Sequence, residues 1–363
     1  MTTLWVLLHV AAQRDYELHF LDFSTAFLQG SLHEEIWLRR PPGFTRSFPA
    51  GTQWSLRRPV YGLRLAPCEW HDTLRMTLAA LGFTRTADLS LFLRTDTTLP
   101  QFYVLVYVDD LVFATADTEA LTLVKARRTI TLTQSHMVHQ VLQRFGFQFF
   151  LPQPTHLSTS HSLSAPPSHE FVEPSGPYPE LVGCLITSGM GLVLGGRGPV
   201  VLSSHAEASW VDDSATQQSS LGYTFSLGSG SVSWRSNRSS SVLNSSCEAE
   251  IYAGAMAGQE LHWLTYLLID LGEQPRSPPV LYVDNKAMIA LCQEHRMEHK
   301  TKHIAVRYFL DQELQQSGQL YLAYVATRAN TAGIFTKALP PGDHQRFSTV
   351  LGLVPTLPHL LTA

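Results

Sequence analysis

Residues 102–114, FYVLVYVDDLVFA, place two adjacent acids inside an apolar run. The residues before Asp109 are mostly aromatic or β-branched, and Leu111–Ala114 continues the pattern, which predicts two strands that meet at the acids. Because Asp is a favoured turn residue, the pair could mark a simple β-hairpin turn. Buried strands on both sides would also hold the two carboxylates at one point. Paired carboxylates of this kind are what two Mg²⁺ ions about 4 Å apart need for phosphoryl transfer.

The four residues Tyr107-Val108-Asp109-Asp110 resemble the palm motif of reverse transcriptases. The sequence around them resembles the reverse transcriptase and RNase H region of copia-type (Pseudoviridae) LTR retrotransposon Pol polyproteins, as far as about Leu351. The resemblance implies an α+β chain: a partial palm, built as an antiparallel sheet with helices, then an RNase H-like α/β domain with a mixed sheet. It also implies RNA-directed DNA polymerase and ribonuclease H chemistry at two-metal Mg²⁺ sites. The implied partners are an RNA template, a DNA primer, an RNA/DNA hybrid and dNTPs.

The segment Glu17–Phe27 ends a predicted strand on Asp22 and continues into a short helix. By itself, Asp22 could be a helix cap or a turn residue. The segment resembles the first palm motif of the family, which implies that Asp22 is the third metal-binding carboxylate of the polymerase site. The resemblance also implies that backbone amides from Phe23 onward meet the triphosphate. Phe27 would crowd the sugar 2′ position and select deoxynucleotides, or it could be a core aromatic.

The segment Val60–Trp70 resembles the family's template- and nucleotide-positioning motif, which includes Tyr61. In that motif Gly62 would let the backbone approach the base pair, and Arg64 could meet a phosphate. The family usually has Gln-Ser where this chain has Leu65-Ala66. The region from Arg39 to Arg64 is basic and contains no acid, which is consistent with phosphate contact or with a solvated loop face. Its arginines are Arg39, Arg40, Arg46, Arg57, Arg58 and Arg64.

Composition limits the classes of function. The chain has 363 residues, 44% of them hydrophobic, which is enough for two cores of ordinary size. A formal charge of −4 gives no global attraction to nucleic acid, so basic surface must be local. The four cysteines have no metal-ligand spacing and favour a reduced intracellular protein, while no apolar run has the length of a membrane span. The family resemblance implies a cytoplasmic particle or the nucleus as location, and the oligomeric state stays open.

The second half resembles a copia-type RNase H, whose chemistry uses four carboxylates around two Mg²⁺ ions. The resemblance implies that Glu207, Glu250 and Asp284 are catalytic and metal-binding, with Glu248 as the alternative to Glu250. Each acid by itself could be a helix cap or a surface charge. Glu207 stands where the family usually has Asp, and one added methylene can move a ligand by about 1 Å, which costs roughly 10²-fold in rate. Gly333 stands where the family has its last Asp.

The family pattern also predicts the domain order. Residues 1–125 would be a partial palm without fingers, 126–197 a remnant thumb and connection with a Pro/Ser-rich linker, 198–351 the RNase H-like domain and 352–363 a C-terminal tail. The pattern breaks after Lys125 and again after Leu185. Our hypothesis from sequence is therefore a polyprotein fragment impaired in both activities. The alternatives are a non-catalytic module that binds RNA/DNA hybrid, or an unstable pseudogene product.

Overall fold

The protein is described from a computed structural model. The described residues are 1–23, 25–39, 53–94, 101–115, 129–133, 190–196, 200–212, 216–274, 277–293 and 305–355. By its contacts the chain divides into two compact units. The first unit is Tyr16–Thr122, and the second unit combines Met1–Asp15 with Leu123–Ala363. The predicted linker, at about residues 151–179, and the residues on either side of both predicted breaks lie outside the described residues.

The elements begin with helix α1 (Thr2–Arg14), which is part of the second unit. The first unit then contains, in chain order, β1 (Glu17–Asp22), α2 (Ala26–Gln29), β2 (Trp37–Arg39), β3 (Gln53–Ser55), α3 (Ala66–Ala80), β4 (Phe83–Arg85), β5 (Leu91–Arg94), β6 (Phe102–Tyr107) and β7 (Asp110–Thr115). Five of its strands form an antiparallel sheet in the order β1-β7-β6-β5-β4. The predicted antiparallel sheet with helices is thus confirmed.

Helix α3 buries one face against this sheet. Its buried side chains at Trp70, Leu74 and Leu78 recur every four residues, so they lie on one stripe of the helix. They share a core cluster with the sheet residues Val104 and Val106. Pro67 stands in the first turn, where a missing N–H costs nothing. The apolar strands on either side of the acid pair are therefore held by a packed core.

The second unit continues with β8 (Thr129–Thr133), β9 (Met190–Gly195), β10 (Leu202–Ser209), β11 (Ser220–Leu227), β12 (Gly230–Arg238), α4 (Ser246–Asp270), β13 (Val280–Val283), α5 (Lys286–Gln293), α6 (Ala305–Gln316), β14 (Tyr321–Tyr324), 3₁₀ turns at Thr327–Ala329 and Thr331–Phe335, α7 (Pro341–Val350) and β15 (Leu353–Pro355). Its main sheet has the order β12-β11-β10-β13-β14. The first three strands are antiparallel, and β10, β13 and β14 are parallel. The predicted mixed sheet is confirmed, and with it the α+β class of the chain.

Two segments that the sequence assigned elsewhere pack within the second unit. Helix α1, predicted as a palm helix, contacts β8, β9 and β12, and its Val6, Leu7 and Val10 are fully buried. Strand β15, in the predicted tail, pairs with β9 in a three-stranded sheet. The compact units therefore differ from the predicted domains at both ends, although the domain boundaries themselves stay a prediction. No helix within the described ranges combines the length and apolar character that crossing a membrane needs.

Candidate active sites

The three acids of the palm-type motifs lie at one end of the antiparallel sheet. Asp22, the last residue of β1, is directly opposite Asp110, the first residue of β7. Asp109 lies in the turn that joins β6 to β7, as its interpretation as a hairpin-turn residue predicts, and the metal-binding interpretation of the acid pair stays a prediction. The backbone N–H of Phe23 donates to the carbonyl of Asp109 at 2.9 Å and ties the two chain segments together.

The turn that contains Asp109 has a constrained backbone. Val108 has a φ of +57°, a left-handed conformation that costs a β-branched residue roughly 1–3 kcal/mol. The indole N–H of Trp70 donates to the carbonyl of Val108 at 2.5 Å, and Phe23 packs edge-on against the same indole with centroids 5.1 Å apart. The core helix α3 therefore holds the turn, and with it Asp109, in place.

The predicted nucleotide-binding residues lie in the same unit. Phe27 is half-buried and its ring is 4.6 Å from that of Tyr61, which is itself 56% exposed. Gly62 has a φ of +94°, which suits glycine, and Arg64 is exposed. Phe27 also packs against the core cluster, so its interpretation as a core aromatic and its predicted gating role are both compatible with its position. The structure brings Phe27 and Tyr61 together.

In the second unit, the predicted RNase H acids converge at the carboxyl end of parallel strands. The β10–β13 register aligns Ser204 with Leu281, and its continuation brings Glu207 beside Asp284. Glu250, on α4, accepts a hydrogen bond from the backbone N–H of Ala208 at 3.3 Å. Glu207 and Glu250 are both buried. Asp284 accepts a hydrogen bond from the hydroxyl of Thr327 at 2.6 Å.

Glu248, the alternative to Glu250, has a different task. The backbone N–H of Glu248 donates to the Ser245 hydroxyl at 3.1 Å, and its carboxylate accepts from the backbone N–H of Asn244 at 2.7 Å. This reciprocal arrangement at the start of α4 is close to a capping box. Glu248 therefore satisfies the end of the helix, and the structure brings Glu250, rather than Glu248, to Glu207 and Asp284. The assignment of metal ligands stays a prediction.

Gly333 and Lys337 complete this cluster. Gly333 lies in the second 3₁₀ turn, and a Cβ built on it would stand 2.6 Å from Oε2 of Glu207. The turn is fastened to β10 by Asn330, whose side-chain amide donates to the carbonyl of Ala206 at 2.9 Å. The ammonium group of Lys337 donates to Oε1 of Glu207 and forms a salt bridge with it. The residue that lacks a side chain thus directly adjoins a buried carboxylate.

Burial and mutual repulsion perturb the acids of the cluster. Burial raises the pKa of Glu207 to about 7, although the hydrogen bond and charge of Lys337 oppose the change. Burial, followed by the charge of Asp284, raises the pKa of Glu250 to about 9. The Oε2 atoms of Glu207 and Glu250 are buried and have no hydrogen-bond partner among the described residues. The cluster therefore holds more acid than its surroundings neutralise.

The two sites differ in how well they fit divalent cations. Within the described ranges, no three His, Cys, Asp or Glu side chains converge on a point where they could hold a metal ion. In the first unit the donors suit Mg²⁺ chemically, because carboxylate oxygens are its preferred ligands, and Asp22 and Asp110 are exposed enough to turn toward an ion. In the second unit Glu207 is engaged by Lys337 and Gly333 supplies no ligand. These residues do not fit a two-metal site.

Two side chains at these sites had no predicted role. Trp70 supports the hairpin turn, and Lys337 pairs with Glu207 across 130 positions of sequence. The four-residue spacing between Gly333 and Lys337 is a signal that could have placed both on one side of a helical turn. Nothing local in the sequence indicates that Glu207 would be the partner.

The segments that contain the palm-type acids are also similar to known proteins. Residues 1–147 match the family model described as reverse transcriptase (RNA-dependent DNA polymerase). The Pol polyprotein from transposon RE2 of Arabidopsis thaliana is 29% identical over 424 positions, which cover 98% of this chain and 29% of that protein. The Pol polyprotein from transposon RE1 of the same plant is 28% identical, with 97% and 28% covered. The chain thus spans less than a third of the length of these relatives.

Among solved structures, that of LC11-RNase H1 in complex with an RNA/DNA hybrid is similar to part of the chain. The identity is 10%, the match covers 38% of this chain and 94% of that one, and the TM-score is 0.29.

The alignment with the RE2 polyprotein has more positions than the chain has residues. The relative therefore carries residues that this chain lacks.

Proposed function

The chain is a homologue of the Pol polyproteins of copia-type retrotransposons and carries reverse transcriptase sequence in residues 1–147, and from this premise we propose that it is a Pol fragment with weakened DNA synthesis and weakened RNA hydrolysis. One observation carries the polymerase half: Asp22 faces Asp110 at the sheet end where Asp109 forms the turn. The proposed partners are an RNA template, a DNA primer and dNTPs. A cytoplasmic particle or the nucleus is the proposed location.

In the first unit, Asp22, Asp109 and Asp110 would hold Mg²⁺. When bound, the ions would activate the primer hydroxyl and neutralise the triphosphate. The chain's own contribution is positioning, because Trp70 and the Phe23–Asp109 hydrogen bond hold the hairpin turn rigid. The N–H of Phe23 is engaged in that bond, so the amides that follow Phe23 are the better candidates for triphosphate contact.

Selection of deoxynucleotides would depend on the pair Phe27 and Tyr61. The ring of Phe27 is partly exposed and is buttressed by Tyr61, so it cannot retreat freely from a sugar 2′-hydroxyl. Leu65 and Ala66 stand where the family has polar residues, and Ala66 is buried in the first turn of α3. Loss of those polar contacts to the template supports weakened, rather than full, DNA synthesis.

In the second unit, the composition of the acid cluster supports little hydrolysis of an RNA/DNA hybrid. Glu207, Glu250 and Asp284 lie close together, but Gly333 supplies no carboxylate and Lys337 neutralises that of Glu207. No hydrolytic step is assigned to a metal ion here, because the residues present do not fit one. Hybrid binding without cleavage is therefore the second candidate function, and this salt bridge favours the absence of cleavage.

Primer extension tests the polymerase half. Purified full-length chain, an RNA template with a DNA primer, dNTPs and Mg²⁺ are expected to give slow extension. Asp110→Asn should abolish it, because a neutral amide binds Mg²⁺ poorly. Asp72→Asn is the matched control, since Asp72 is a half-exposed acid on α3 paired only with Arg75 among the described contacts. Extension that is equal in Asp110→Asn and wild type would refute the proposal.

Hybrid binding and cleavage are then measured on the same protein. We expect binding that weakens as salt rises, because phosphate contacts release counterions, and little cleavage. Asp343→Asn, which changes an exposed acid on α7, is the control. Efficient cleavage by wild type that disappears in Asp284→Asn would show instead that the second unit is a working nuclease.

A further inference from the structure

The side chain of Lys337 lies where the acid cluster is incomplete. The backbone N–H of Lys337 donates to the carbonyl of Gly333 at 3.2 Å, which closes a helical turn and brings the two residues to the same side. A Cβ at Gly333 would lie 3.4 Å from Cε of Lys337 and 2.6 Å from Oε2 of Glu207. The lysine stem therefore passes directly beside the missing side chain on its way to Glu207.

The pairing gives the cluster an internal positive charge. The side chain of Glu207 is only 2% exposed, whereas that of Lys337 is 34% exposed, so the lysine reaches in from the surface. An ammonium group is a compact charge with three donors, and a buried carboxylate needs such a partner. A divalent ion bound by Glu207 would have to displace Lys337 and then find its remaining ligands without residue 333.

We propose that Lys337 is the resident cation of this cluster and that it excludes divalent ions from Glu207. The proposal rests on the proposed function only in treating the cluster as the RNase H-like site. Its central claim concerns which cation occupies the cluster, and that can be read without any measurement of hydrolysis. Failure of cleavage and failure of this claim are thus separate results.

Iron-directed backbone cleavage reads the occupancy of each site. Fe²⁺ substitutes for Mg²⁺, and with ascorbate and peroxide a bound ion cuts the chain locally, so mass spectrometry of the fragments locates it. The experiment uses the full chain with Asp109→Asn and Asp110→Asn to weaken metal binding in the first unit. With Lys337 unchanged, we expect no Mg²⁺-competable cuts near Glu207, Glu250 or Asp284. Such cuts would overturn the proposal.

Removing the ammonium group of Lys337 tests whether that group causes the exclusion of divalent ions. Lys337→Met keeps much of the apolar stem, and we expect Mg²⁺-competable cuts at the cluster to increase at least about tenfold, because the change removes a positive charge that repels the ion. Lys286→Met is the matched control, because Lys286 is an exposed lysine of the same unit whose ammonium lies 4.6 Å from the ring centre of Tyr324. The control should stay at background. No increase in a folded Lys337→Met protein would overturn the proposal.

A second variant keeps the test valid if Lys337→Met does not fold. Lys337→Gln keeps a side-chain donor for Glu207 but removes the charge, so it is expected to preserve the packing and still admit the ion. Circular dichroism of each protein verifies folding before cleavage. If Lys337→Gln is folded and remains closed to iron, the charge of Lys337 is not what excludes the metal, and the proposal fails.

Discussion

Replacing the ionisable carboxyl group of Asp311 with an amide should stabilise the second unit at neutral pH, in a strongly pH-dependent way. Asp311 lies on α6, is completely buried, and neither carboxyl oxygen has a hydrogen-bond partner among the described residues. It faces two glycines of α4: a Cβ at Gly254 would be 2.8 Å from Oδ2, and a Cβ at Gly258 would be 2.6 Å from Oδ1. The carboxyl group is therefore pressed against a helix with no room for solvent.

Burial raises the pKa of Asp311 from 3.8 to about 8. The folded chain then keeps a proton that the unfolded chain releases, so this contribution to stability is complete below about pH 4 and is lost as pH rises toward about 8. Each pH unit in that window costs about 1.4 kcal/mol. At pH 7, three units above the ordinary value, the cost is about 4 kcal/mol as an upper estimate. Asp311→Asn has nearly the same shape and does not titrate, so it should avoid most of this cost.

Urea unfolding of wild type, Asp311→Asn and the exposed control Asp343→Asn at several pH values from 4 to 8 measures the effect. The stability difference between Asp311→Asn and wild type should be small or unfavourable near pH 4 and grow by a few kcal/mol by pH 8. The control should follow wild type at every pH. A difference that stays constant with pH would refute the reasoning, because it would mean that Asp311 ionises alike in both states.

The other expected outcomes concern packing and capping. Gly258→Ala should lower stability by about 1–3 kcal/mol in urea unfolding, because its methyl group would overlap the carboxyl of Asp311; an increase in stability would contradict that contact. Ser245→Ala should cost about 1 kcal/mol by losing the cap that its hydroxyl gives the N–H of Glu248, with Ser241→Ala as control. Trp70→Phe keeps a ring but loses the donor to Val108, so the rate of primer extension should fall by a larger factor than the equilibrium constant for folding does. Equal factors would assign Trp70 a purely structural role.

Much of the fold could be predicted because its signals are local. The apolar runs around Asp109 and before Asp22 do form strands, and the residues after Ser245 form a long helix. The elements against which α1 and β15 pack were harder to predict from the sequence. Helix α1 has an apolar surface that could cover either unit, and the strand Leu353–Pro355 is too short to be recognised without its partner β9.

At the candidate sites, too, local features could be predicted from the sequence and contacts between distant residues could not. The sequence by itself determined which acids end their strands, because strand and turn preferences act between near neighbours, and it determined that residue 333 carries no carboxylate. Only the tertiary structure decided that Glu250 rather than Glu248 meets Glu207, because that depends on helix orientation and on the capping bond of Glu248. It alone decided that Lys337 supplies the charge at Glu207, since a salt bridge between residues far apart in sequence exists only once the sheet and the 3₁₀ turn have packed together.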